Sequence, residues 1–233
     1  MKRILITGAS RGIGLEMCRQ LSERGNEVIA TYRKPNSAGA LLELTNKYKN
    51  LHTYELDVNS SESVKSAICR IGEKFTSLDW VFNNAGILDW SPLGEVTAKS
   101  FQSIYNTNVV GVFRVSQEVI PLLTKGSTPL IINLSSRLGS VELRGQSQLG
   151  GAIAYQCSKS ALNMLTKQMS IDYARLGIRA IAISPGWVKT DMGGTEAKYE
   201  VSESVDLFLA QIDKLPASLN GVFLGEDGKM IPW

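Results

Sequence analysis

Short apolar runs alternate with amphipathic stretches along the chain. Ile4-Leu5-Ile6 reads as a buried strand, and Ile13, Met17 and Leu21 follow it at the i, i+4, i+8 spacing of one helix face. Val28-Ile29-Ala30 predicts a second strand, with a weaker helix over 38–47 and a third strand over 51–56. Asn59-Ser60-Ser61-Glu62 has capping-box spacing and opens a helix with Val64, Ala67, Ile68, Ile71 and Phe75 on one face. Four further strands are expected at 78–82, 130–134, 178–183 and 222–224, and long helices at 99–123 and 154–176 separate the middle ones. Parallel strands need crossover helices, so the alternation predicts an α/β fold. The expected form is a Rossmann-type, doubly wound sheet of seven parallel strands, with six helical connections on its two faces. Neither a linker nor a repeat divides the chain, and 1–233 reads as one domain.

Composition narrows the function. At 233 residues, 43% hydrophobic and 20% charged, the chain is neither disordered, collagen-like nor coiled coil. Lys plus Arg is 25 against 22 Asp plus Glu, and this net charge of +3 without a basic run makes no case for nucleic acid or anionic membrane. Cys18, Cys69 and Cys157 lack CxxC spacing and His52 stands alone, so neither a disulfide framework nor a metal cage is expected. A strand beginning at Lys2 leaves no room for a signal peptide, and Arg114 interrupts the longest apolar stretch, near 109–115. A soluble, cytoplasmic protein is expected.

Chemistry enters at Thr7-Gly8-Ala9-Ser10-Arg11-Gly12-Ile13-Gly14, between the first strand and the first helix. Glycines at 8, 12 and 14 permit a tight turn, and the helix N-terminus behind them offers free N–H groups to a pyrophosphate. A plain strand–helix turn would carry the same residues. Further along stand Asp57-Val58, Asn83-Asn84-Ala85-Gly86, Asn108, Ser136, Tyr155-x-x-x-Lys159 and Pro185-Gly186. In this order the set resembles the short-chain dehydrogenase/reductase family over essentially the whole chain. The 140–151 stretch between Ser136 and Tyr155 is longer than is usual there, and with the 227–233 ending it is similar to the sniffer-like, C-factor-type carbonyl reductase branch.

The residues themselves support part of that picture. NAD-preferring folds place an acidic residue at the end of strand two, where this chain has Thr31-Tyr32-Arg33-Lys34. Arg33, with Arg11 opposite, can pair with a 2′-phosphate, so NADP(H) is favoured over a reading of two solvated arginines. Tyr155 and Lys159 share a helix face, and an ammonium there is expected to lower the phenol's pKa from about 10. Asn108 lies on an apolar stripe with Ile104 and Val112 and needs a partner, because burying it unpaired would cost about 1–3 kcal/mol. Ser136 is preferred to Ser135 as the site serine, since it matches the family's SxxG through Gly139.

The resemblance implies roles. Ser136 would polarise a substrate carbonyl, Tyr155 would donate the proton, and Lys159 would hold the nicotinamide ribose. Asn108 would help hold a relay water, although an amide bonded to neighbouring backbone is the other reading. Asp57, with Val58, would meet the adenine or simply precede a helix as a cap. Asn84, Ala85 and Gly86 would let the cofactor cross the sheet edge closely. Pro185, Gly186, Val188 and Thr190 would face the carboxamide. Trp90, Leu143, Trp187 and Met192 are pocket walls or plain packing, and Gly193-Gly194 reads as a lid hinge. Cys157 reads as a packing thiol. An NADPH-dependent reductase acting on a small carbonyl or alcohol is thus expected. Its rivals are a catalytically idle NADP-binding regulator and a Rossmann-like methyltransferase, which would leave YxxxK unexplained. The two long helices resemble the elements through which family members pair, leaving monomer, homodimer and homotetramer open.

Overall fold

Runs of aliphatic residues without polar alternation need cover on both faces, and the central strands of this chain receive it, whereas the edge strand over 51–55 buries only Leu51. The computed structural model describes residues 1–145 and 150–233. Its strands are β1 (Arg3–Ile6), β2 (Glu27–Tyr32), β3 (Leu51–Glu55), β4 (Trp80–Asn83), β5 (Leu130–Leu134), β6 (Arg179–Ile183) and β7 (Phe223–Leu224). They form one sheet in the order β3-β2-β1-β4-β5-β6-β7, and all six neighbouring pairs are parallel. The chain winds outward from β1 to β3 and then resumes on the other side at β4. A crevice therefore opens at the carboxyl ends of β1 and β4, where doubly wound sheets take their ligands.

The helices are α1 (Gly12–Glu23), α2 (Gly39–Lys47), α3 (Ser61–Lys74), α4 (Ala98–Tyr105), α5 (Gly111–Leu123), α6 (Ile153–Asp172) and α7 (Val201–Asp213). Side-chain alternation along each strand splits the core into two layers. Ile4, Ile6, Val28, Phe82 and Ile181 face Met17, Leu21, Leu41 and Phe208 from α1, α2 and α7. Leu5, Ile29, Val81 and Ile131 face Ile68, Ile71, Val115 and Leu162 from α3, α5 and α6. The sequence pattern expected a sixth crossover without placing it. That crossover is α7, whose Val205, Phe208, Leu209 and Ile212 are all buried.

Three local details differ from expectation. Ser60, rather than Asn59, caps α3, accepting from Ser63 N–H at 3.1 Å. The long helix over 99–123 is interrupted by a π turn at Asn106–Val110, which joins α4 to α5. The helix over 154–176 ends as α6 at Asp172, and a separate 3₁₀ turn follows at Ala174–Leu176.

The entry to α6 is unusual. Its first cap residue, Ala152, takes the left-handed conformation (φ 50°), which costs a side-chain-bearing residue about 1 kcal/mol or more. Two contacts hold it there: Ala152 N–H donates to Trp90 O at 3.0 Å, and Gln156 Nε2 donates to Gly151 O at 2.7 Å. At the other end of the 140–151 stretch, the Ser140 hydroxyl donates to Trp233 O at 3.1 Å. Residues 146–149 of the expected insertion lie outside the described residues.

Candidate active site

The glycine loop packs against β4's exit by direct backbone approach. Gly8 has φ +66°, and a β carbon there would sit 2.8 Å from the Ala85 α carbon. Asn84 fastens the two loops, its Nδ2 donating to Thr7 O and Gly8 O at 2.9 Å each. Thr7, which the motif reading passed over, completes the join. Its Oγ1 accepts from Asn84 N–H at 3.0 Å and Ala85 N–H at 3.1 Å. Asn84 thus spends its side chain on the loop's own backbone. No side chain caps α1, so its first amides, over 12–14, are left for an incoming group. Ser10, Gly12 and Ile13 are partly exposed beside them.

The adenosine end is open. Arg33, just past β2, is exposed. Arg11 also stands exposed but pairs with Asp191 across the crevice, so only one of the two expected arginines is unengaged by an acid among the described contacts. The Asp57 carboxylate accepts from Asn59 N–H at 2.9 Å, a local turn bond, while Val58 is buried under α5.

The opposite end is more enclosed, with Lys159 buried and Tyr155 and Ser136 partly exposed. Tyr155 and Lys159 lie one turn apart on α6, with Lys159 Nζ 5.4 Å from the phenol ring centre. Lys159 is 6% exposed and donates to Leu134 O at the end of β5, at 2.6 Å. Tyr155 and Ser136 share a hydrogen bond. Ser136 also caps the 3₁₀ turn at Arg137–Gly139, accepting from Leu138 N–H at 3.2 Å. Ser135, by contrast, is buried and donates to Asn163 Oδ1 at 2.6 Å, away from Tyr155. Gly139 matters for a packing reason: a β carbon there would lie 2.7 Å from the Lys159 backbone, so only glycine lets this turn reach α6.

Charge in this more enclosed end runs opposite to one expectation. Burial pushes the Tyr155 phenol up to about 12, and the Ser136 hydrogen bond only partly opposes it. Burial likewise brings the Lys159 ammonium down to about 8. The expected lowering of the phenol by its neighbour is therefore not present: desolvation of both groups outweighs an ammonium 5.4 Å from the ring.

Asn108 sits in the π turn and is fully buried. Its Oδ1 accepts from Ile87 N–H at 2.9 Å, and its Nδ2 donates to Ile87 O at 2.9 Å and to Ser158 Oγ at 3.0 Å. The amide is thus committed to backbone and to α6, one residue from Lys159. Asn83, beside Asn84, points away, donating to Ser116 Oγ on α5 and to Asn133 Oδ1 on β5.

The turn after β6 forms the remaining wall. Pro185 and Gly186 are partly exposed, Val188 is buried and paired with Tyr199, and Thr190 lies 3.5 Å from where a Gly12 β carbon would be. Trp90 and Trp187 are half exposed. Leu143, a candidate wall, instead packs on Ala182, Phe223 and Ile231. Gly193 is no free hinge either, because its N–H is bonded to Thr190 O at 3.1 Å and a β carbon there would run into Val188 O.

Comparison with known proteins bears on this arrangement. Residues 2–200 match the family model described as short chain dehydrogenase. An NADPH-bound carbonyl reductase from chicken fatty liver superposes with a TM-score of 0.95 at 38% identity, covering 100% of this chain and 99% of that one. The carbonyl reductase Sniffer of D. melanogaster gives 0.93 at 34% identity, covering both chains completely (100%). An uncharacterised oxidoreductase of Schizosaccharomyces pombe is 35% identical, across 100% of this chain and 98% of its own length.

Proposed function

The chain belongs to the short-chain dehydrogenase family and is an oxidoreductase, and from that premise we propose that it is an NADPH-dependent carbonyl reductase. The observation that carries the reading is the meeting of Ser136, Tyr155 and Lys159 from two separate elements at the more enclosed end of a crevice. The residues present fit a dinucleotide. Gly8 lets the glycine loop close on Ala85, the uncapped α1 terminus suits a pyrophosphate, and exposed Arg33 suits a 2′-phosphate. Gly8, Ser10, Gly12, Ile13 and Gly14 would hold the phosphates, Asp57 and Val58 the adenine, and Pro185, Gly186, Val188 and Thr190 the nicotinamide end. NADPH, when bound, supplies the hydride.

This chain's residues supply the proton. Tyr155 keeps its proton to about pH 12, so it is a stored acid across the physiological range. Ser136, bonded to it, holds the carbonyl oxygen within reach of that hydroxyl. Lys159 binds the ribose hydroxyls with an ammonium that titrates near 8. Asn108 keeps Ile87 and Ser158, and hence the β4 exit and α6, in register. The unpaired thiols of Cys18, Cys69 and Cys157 accord with a cytoplasmic setting. Mixing the protein with NADPH and a panel of aldehydes and ketones tests the proposal. Loss of NADPH's near-ultraviolet absorbance with any of them is the expected result. Binding of NADPH without turnover of any carbonyl would instead favour an idle regulator.

A further inference from the structure

Two walls of the crevice meet at a carboxylate that the sequence motifs did not mark. Arg137 follows Ser136, and its Nη2 donates to Glu226 Oε2 at 3.2 Å. The other oxygen, Oε1, accepts from the Tyr199 hydroxyl at 3.2 Å, and that hydroxyl accepts from Lys198 Nζ at 2.6 Å. Tyr199 is in turn part of the wall after β6. Its N–H donates to Trp187 O at 3.0 Å, and its carbonyl accepts from Lys189 N–H at 2.9 Å, which pairs it with Val188. The Tyr199 ring and the Glu226 carboxyl close over Gly186, where a β carbon would lie 2.8 Å from the ring and 3.2 Å from the carboxyl carbon. Glu226 itself is 7% exposed.

Stability alone gives little reason for this charge. Glu226 is withdrawn from water while its partner Arg137 keeps a side chain 44% exposed, so the pair returns little beyond the solvation the carboxylate gives up. Phe223 and Ile231 close the same edge of the sheet with apolar contacts. What an apolar side chain could not do is hold two separate loops by two oxygens. We propose that Glu226 is a positioning residue, fixing the spacing between the Ser136 turn and the 185–190 wall. The inference rests on the reductase reading, which gives those two walls their roles. Glu226 escapes motif reading because its partner Arg137 is 89 positions away in sequence.

The test uses Glu226→Gln, which keeps the shape but turns an amide toward Arg137. Its kcat for carbonyl reduction is expected to fall roughly tenfold or more, the scale of a small misplacement of reacting groups. The melting temperature and the affinity for 2′,5′-ADP, which reaches only the adenosine half, stay at wild-type values. A second arm uses Arg137→Met and hydrogen exchange at the Lys189 and Tyr199 amides, on the opposite wall. Exchange there is expected to quicken roughly threefold or more if the two walls are coupled. Unchanged kcat in Glu226→Gln, or a joint fall of kcat, melting temperature and 2′,5′-ADP affinity, overturns the proposal. So does unmoved exchange in Arg137→Met. A wild type that binds NADPH but reduces no carbonyl sinks only the reductase reading, because the exchange arm still decides whether Glu226 joins the walls.

Discussion

At the open rim of the crevice, Arg11 of the glycine loop and Asp191 beyond β6 meet with side chains 73% and 78% exposed, and Arg33, just past β2, is exposed. At the β5 end, Lys159 is 6% exposed and Asn108 is fully buried. The same kinds of group therefore act in two dielectrics. In water a unit charge pair at 4 Å is worth about 1 kcal/mol, whereas in a poorly solvated pocket each contact and each lost contact weighs several times more. The exposed end can choose between cofactors by adding or removing a single weak charge. The buried end must have every polar atom placed, and Asn108, with three bonds, and Lys159, bonded to Leu134 O, show how that is done.

Substitutions should separate the two ends by size of effect. Tyr155→Phe removes the stored proton, and turnover in the carbonyl assay should fall at least ~10²-fold while NADPH binding persists. Activity equal to wild type would strip Tyr155 of its role.

Lys159→Met should cost activity yet stabilise the folded protein. The Lys159 pKa is about 8 in the fold against an ordinary 10.5, so the unfolded chain binds more protons between those values and wild-type stability rises with pH there. Below pH 8 the full penalty of the buried ammonium is present. The variant should therefore be more stable at pH 7 by about 2 kcal/mol, allowing for the lost bond to Leu134 O, and the gain should shrink toward pH 10.5. Denaturant titrations across that range check it; a pH-independent difference would count against a buried ammonium.

At the open end the effects shrink. Arg33→Asp should shift the ratio of NADPH to NADH use by roughly tenfold or more toward NADH, with kcat nearly kept, because one charge-assisted contact to the 2′-phosphate is lost. Asp191→Asn should be the mildest, changing the NADPH dissociation constant less than about threefold, as for an exposed ion pair. Fluorescence titration at low and high salt reads both. A large effect of Asp191→Asn would erase the contrast between the ends.

Much of this was legible in the chain before any coordinates. Unbroken aliphatic runs such as Ile131-Ile132 read as doubly covered strands, and the central strands lie where such runs stand, whereas the edge strand β3 forms on a mixed apolar and polar stretch. The Ser136-x-x-Gly139 spacing pointed to the serine that meets Tyr155, and the close approach of Gly139 to Lys159 supplies the reason. Three things were hidden. The direction of the Tyr155 shift depends on how much water reaches the phenol, which no spacing encodes. The Arg11–Asp191 and Arg137–Glu226 pairs join residues 180 and 89 positions apart, and only the folded sheet brings them together. The π turn at Asn106–Val110 leaves no mark in a period of four, because Ile104, Asn108 and Val112 are buried either way.

The left-handed Ala152 bears on how this architecture can be altered. Its tether to Trp90 and the Gln156–Gly151 bond anchor the start of α6 independently of whatever chain precedes them, just as the Ser140–Trp233 contact finishes the upstream side. The phenol three residues downstream of Ala152 is thereby held by bonds that begin at residue 151, so its place rests on Trp90 and Gln156.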